Sequence, residues 1–108
     1  MAQSRPEIEE IVAKYRAQLA GLGIRPSQVY LYGSYARGTA REGSDVDLIV
    51  VSPDFSALNF RERLEILGVA AARVLEPIQA VGYTPDEITA KDYTPFMEEI
   101  LASEAIAV

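Results

Sequence analysis

The sequence predicts an α/β fold, α+β in the way its elements segregate: a small mixed β-sheet of three to four strands with helices packed on it. Three observations carry that prediction. Two long segments, Arg5–Leu22 and Phe60–Leu75, repeat apolar residues at three- and four-residue spacings. Three short runs, Gln28–Tyr32, Val46–Val51 and Ile78–Tyr83, are rich in β-formers and bounded by Gly, Ser or Pro. The two kinds alternate as α-β-α-β-α-β-α, an order that implies a sheet covered by helices.

The first helix has Pro6 in its opening turn with Glu7, Glu9 and Glu10 behind it, placing negative charge at the positive helix end. Ile8, Ile11, Val12, Tyr15, Leu19 and Leu22 form its buried face, and Gly21-Leu22-Gly23 stops it. Gln28–Tyr32 follows as a strand that Gly33-Ser34 breaks, after which Tyr35–Gly38 forms one helical turn. Beyond a polar loop, Val46–Val51 is a near-continuous apolar run that fits a central strand. The second long helix, Phe60–Leu75, should turn Leu64, Leu67, Ala71, Val74 and Leu75 inward before Pro77 ends it. Ile78–Tyr83 is the third strand. Thr84-Pro85-Asp86-Glu87 starts a short helical turn, and Thr94-Pro95 opens a last helix reaching about Leu101. Ala105–Val108 either pairs as a fourth short strand or lies as coil. No repeat, low-complexity segment or interdomain linker is visible, so residues 1–108 read as a single domain.

Composition narrows the chemistry. Hydrophobic residues make up 49% and charged residues 24%, the balance of a soluble globular chain. The sequence has no cysteine and no histidine, which removes disulfides, thiolate or imidazole metal sites and histidine-based triads. Any metal must sit on oxygen ligands, which favours Mg²⁺, Mn²⁺ or Ca²⁺. A net charge of −6 argues against a broad surface that tracks nucleic-acid phosphates. No apolar run is long enough to cross a membrane and no signal-peptide core opens the chain, so a cytoplasmic protein is the default.

Residues 30–51, YLYGSYARGTAREGSDVDLIVV, concentrate the chemistry. Asp45 and Asp47 are two apart at the start of an apolar strand, so both carboxylates point to one face and repel each other. A hard divalent cation would relieve that repulsion, whereas two solvated carboxylates turning with Ser44 are an equally good reading of the pair alone. Gly33-Ser34 ends a strand with free backbone N–H groups and a hydroxyl, a concave nest suited to phosphate oxygens. In isolation that dipeptide is more often an ordinary turn. Arg37 and Arg41 add positive charge nearby, Arg41 being read equally as an exposed solubilising residue, and Gly38 as a simple helix stop. Asp54 and Asp86 lie in loops without a partner at this spacing and read as solvated or capping residues. Together, however, strand, Gly-Ser, Arg-Gly and Ser-Asp-x-Asp-Leu place a phosphate nest beside a two-carboxylate metal site. In-line transfer of a nucleotidyl group needs that arrangement.

Residues 33–50 closely resemble the G-S-x-x-x-G…S-D-x-D-L-x-V signature of the DNA polymerase β-like nucleotidyltransferase superfamily. The short length and the wording GSYARGTAREGSDVDLIVV are most similar to its minimal members, the MntA-type antitoxins. The resemblance implies a polymerase β palm-like fold in which Gly33 and Ser34 hold a triphosphate. Arg37 would orient phosphate or partner, and Asp45 and Asp47 would be the catalytic, Mg²⁺-binding pair. It further implies AMP transfer from ATP to a hydroxyl, with a HEPN-domain ribonuclease toxin as the partner that is bound and modified.

The family draws a third carboxylate from the next strand, and by the position of Thr84-Pro85 that place is held here by Gln79. Glutamine can accept a hydrogen bond but cannot act as a general base. Glu76, three residues earlier, should project from the opposite strand face. With no second domain to recognise base or acceptor, a partner protein or a second copy of the chain should complete the surface. Tyr93, Phe96 and Met97 are candidates for that contact, with core burial as the alternative. Two functions therefore compete: a nucleotidyltransferase antitoxin with weak turnover, and a catalytically inactive module that neutralises its partner by contact or senses nucleotide.

Overall fold

A computed structural model describes residues 3–108. Helix α1 (Arg5–Gly21) starts at Ser4, whose hydroxyl accepts from the Glu7 N–H while the Glu7 carboxylate accepts from the Ser4 N–H. This reciprocal cap satisfies two donors that a helix start would otherwise leave open. Strand β1 (Gln28–Tyr32), the single turn α2 (Ser34–Arg37) and strand β2 (Val46–Val51) follow. A 3-10 turn over Pro53–Ala57 leads into α3 (Phe60–Val74), then β3 (Ile78–Tyr83), α4 (Pro85–Thr89), α5 (Pro95–Ser103) and β4 (Ile106–Ala107). No described helix is long and apolar enough to cross a membrane.

The four strands lie in the order β3-β2-β1-β4. β1 pairs antiparallel with both β2 and β4, while β2 and β3 run parallel, joined by the α3 crossover that parallel pairing requires. The sheet is therefore mixed, and the tail left open between strand and coil is a strand. Because side chains alternate across a strand, β2 serves two cores. Val46, Leu48 and Val50 join Val29, Leu31 and Ile78 beneath α1 and α3. Ile49 and Val51 join Tyr83 beneath Met97 and Ile100 of α5 on the other face. Asp47 belongs by parity to this second face.

The helices depart from the sequence reading at their edges. In α3 the buried residues are Arg63, Leu67 and Ala70, with Ala71 and Val74 partly covered. Leu64 stands 41% exposed and Leu75 86% exposed, so neither faces inward as expected. Leu64 lies one step around the helix from the Arg63–Leu67–Ala70–Val74 stripe, and Leu75 caps the helix in the left-handed region at φ 63°. Helix α5 runs two residues beyond Leu101, to Ser103. Asp54 is no idle loop residue: its carboxylate accepts from the Arg25 N–H at 2.8 Å.

Candidate functional site

The site forms where β1 ends. Gly33 leaves the strand at φ 74°, a conformation that costs glycine little and other residues much. A Cβ at this position would overlap the Asp47 carboxylate, lying 2.9 Å from its Cγ. Glycine is thus needed both for the turn and for the approach of the carboxylate. The Gly33 N–H donates to a side chain instead of to the sheet ladder, and the single turn of α2 brings Arg37 into the same cavity wall. Gly38 closes α2 in the left-handed region at φ 76°, its N–H returning to the Ser34 carbonyl.

Asp47 is placed by strand pairing. In the β1–β2 register it stands opposite Tyr32, and in the β2–β3 register opposite Gln79. Its carboxyl is pushed above its usual range, first by burial and then by the negative charge of Asp45, with Arg37 opposing and Glu104 adding to the rise. Asp45 itself is exposed, one residue before β2 begins. The Ser44 hydroxyl accepts from the Arg41 N–H at 2.8 Å and so shapes the loop that delivers the two aspartates. Arg41 is exposed.

A cavity of about 370 Å³ is walled by Tyr32, Gly33, Arg37 and Asp47 on one side and by Phe96, Ile100 and Glu104 of the α5 end on the other. Its volume falls in the range of small-ligand pockets. Gly33, Arg37 and Asp47 thus meet in one wall. Ser34 opens α2 directly after Gly33, and Asp45 is close enough for its charge to act on Asp47. Gln79 is absent from the cavity wall: it is exposed, pairs with Asp47 in the β2–β3 register and so shares its sheet face by parity, and also borders a separate hollow with Leu64, Leu67, Gly68 and Ala71. Of the three C-terminal candidates for a partner contact, Met97 is buried and Tyr93 packs edge-to-face on Tyr83 at 6.0 Å, while Phe96 remains 69% exposed at the mouth of the cavity.

Sequence reasoning missed Glu104. Its Oε2 accepts from the Gly33 N–H at 2.8 Å, and its Oε1 from Arg37 Nη1 at 3.0 Å. Those two hydrogen bonds hold its carboxyl below the usual glutamate range. Tyr32 is driven the other way, its phenol raised by burial and then by the charge of Asp47. Among the described residues no group of three or more acidic, His or Cys side chains converges on a metal position. Asp45 and Asp47 are the sequence-predicted carboxylates that could hold a cation here, and among the described residues neither the loop nor the strand brings a third one to them. That donor set suits Mg²⁺, which is bound through one or two carboxylates and completes its shell with water and phosphate oxygens.

Comparisons with known proteins give the family and the fold. A candidate protein adenylyltransferase of Methanocaldococcus jannaschii is 32% identical over 103 residues, covering 94% of this chain and 95% of its own length. A toxin–antitoxin crystal structure with AMP-PNP superposes with a TM-score of 0.61 at 20% identity, covering 92% of this chain and 70% of that one. A variant of the MntA–HpeT toxin–antitoxin superposes with a TM-score of 0.56 at 14% identity, over 97% of this chain and 72% of the other. The two structures establish the shared fold. The family model described as "Nucleotidyltransferase domain" matches residues 9–107, nearly the full length, and the chain belongs to that nucleotidyltransferase family.

Proposed function

We propose that this nucleotidyltransferase transfers AMP from Mg²⁺-bound ATP to a hydroxyl on a partner protein, as the antitoxin of a toxin–antitoxin pair whose toxin is of the HEPN type. Residues 1–108 would act as one minimal unit in the cytoplasm. The observation that carries this reading is the meeting of Gly33, Arg37 and Asp47 in one cavity wall, with Asp45 beside it. The M. jannaschii relative, a candidate protein adenylyltransferase, and the toxin–antitoxin neighbours support the acceptor class and the pairing.

In this reading the Gly33 N–H and the Ser34 hydroxyl bind phosphate oxygens, and the Arg37 guanidinium neutralises them. Asp45 and Asp47 hold Mg²⁺, and burial of Asp47 beside Asp45 makes cation binding favourable by relieving the repulsion between them. Once bound, the ion would polarise the phosphate and stabilise charge developing in the transition state. Tyr32 and Phe96 supply aromatic surfaces on opposite walls of the cavity.

Calorimetric titration of ATP with and without Mg²⁺ tests the reading. Binding that needs Mg²⁺ and disappears in the Asp45→Asn/Asp47→Asn double variant is the expected result. Wild-type protein that binds no ATP in either condition would remove the enzyme reading for the chain alone. A specific observation keeps the second reading in view: the β3 residue paired with Asp47 is Gln79, whose amide cannot take a proton from an acceptor hydroxyl. A module that neutralises its partner by contact needs no such base.

A further inference from the structure

We propose that Glu104 is a built-in competitor for the phosphate seat: its carboxylate occupies the Gly33–Arg37 anion position and must leave when a nucleotide phosphate binds there. The inference rests on the nucleotide reading of the cavity and adds its regulation.

Three observations support it. First, the two oxygens of Glu104 are divided between the two donors, one on the Gly33 N–H at 2.8 Å and the other on Arg37 at 3.0 Å. Two oxygens of one phosphoryl group would divide themselves in the same way, because both anions are acceptors of similar span. Second, the position is built into the backbone. Glu104 caps α5, donating its N–H to the Ile100 carbonyl, and two residues later Ile106 pairs with Leu31 in β1. The side chain is therefore delivered to the seat by helix and strand together. Third, the seat lies beside Asp47, which lines the same cavity as Gly33, Arg37 and Glu104. A third negative group opposes that neighbourhood unless specific donors hold it. Gly33 and Arg37 are those donors.

The consequence is conformational selection. A molecule whose seat is filled by Glu104 for about nine-tenths of the time binds phosphate about tenfold more weakly than one whose seat is free. Displacing Glu104 also loosens the contact between the α5 end and α2, so a partner that draws the α5 end outward would raise nucleotide affinity.

The test is calorimetry on wild type, Glu104→Gln and Glu104→Asp, with two probes, Mg²⁺–ATP and inorganic tripolyphosphate. Glu104→Asp keeps the charge but withdraws the carboxylate by one methylene, which separates the contact from the electric field. Tightening of about tenfold in both variants is expected. Unchanged affinity in both, or tightening in Glu104→Gln alone, overturns the competitor role. Tripolyphosphate that tightens while ATP binds none of the three proteins would keep the competitor and remove the nucleotide reading. ATP that binds all three equally does the reverse.

Discussion

A methyl group on Gly33 would collide with the Asp47 carboxylate, and the backbone there sits at φ 74°. This contact between residues 33 and 47 is the part of the site that sequence made readable, because both ends lie in one short stretch with a recognisable spacing. Gln79 was placed from its distance to Thr84-Pro85, and parallel pairing does set it opposite Asp47. Its share in a different hollow was not legible, since that depends on how α3 flanks the sheet edge. Glu104 had no signal at all. It reaches Gly33 across a sequence separation of 71, and a lone glutamate at a helix end looks like any solvated acid. At this scale the prediction concerns Gln79. Replacing it with aspartate puts a carboxylate opposite Asp47, and a positioned general base contributes about 10²–10⁴ in rate. Gln79→Asp should raise AMP transfer by roughly tenfold or more in a radiolabelled-ATP assay. Transfer that stays at zero in both proteins favours the contact-only module.

Among the elements, α3 departs furthest from its expected role. Sequence marked it as an apolar stripe, yet its most buried charged residue is Arg63, 7% exposed. The guanidinium donates to the Phe55, Leu58 and Gly82 carbonyls and to Glu87 at 2.6 Å, while lying 5.7 Å from the Phe55 ring centre. It thereby ties the 3-10 turn, β3 and α4 to one helix. The site depends on this staple indirectly, through the seating of β3 against β2. A periodic reading scores arginine as outward, so a buried arginine satisfied by carbonyls escapes it. Glu87 completes the staple and also accepts from the Thr84 N–H at 2.7 Å. Burial works against its charge, but the hydrogen bonds from Arg63 and Thr84 prevail and hold its carboxyl below the usual glutamate range. A group depressed in the folded state stabilises above its unfolded value, and that contribution is lost as pH falls through the folded value. Wild type should therefore lose melting temperature more steeply than Glu87→Gln as pH drops below about 4.5. Parallel slopes for the two proteins would show that the Glu87 carboxylate does not stabilise the fold through its charge.

For the molecule as a whole, the sheet separates a closed core from a working face. α1 and α3 seal one side, while α5 covers only part of the other and leaves the cavity between its end and β1. The two long helices and three main strands were legible because burial repeats along them with fixed period. The pairing of β4 was not, because two residues carry no periodicity and take their conformation from the free edge of β1. A ligand in the cavity touches β1, β2 and α5 at once, so its binding stabilises the fold as a unit. At a hundredfold excess over Kd that amounts to about 2.7 kcal/mol, and each kcal/mol shifts the melting of a chain this size by about 4–8 °C. Thermal melting with Mg²⁺–ATP at that excess should rise by roughly 10–20 °C. A rise that persists without Mg²⁺ would place the nucleotide away from Asp45 and Asp47.

The Glu104 contact also links the edge of the sheet to the anion seat. Glu104 stands two residues before Ile106, which pairs with Leu31 of β1, so fraying of β4 from β1 would loosen the carboxylate from Gly33 and Arg37 together. Strand pairing at the sheet edge and anion binding at the seat thereby report on each other.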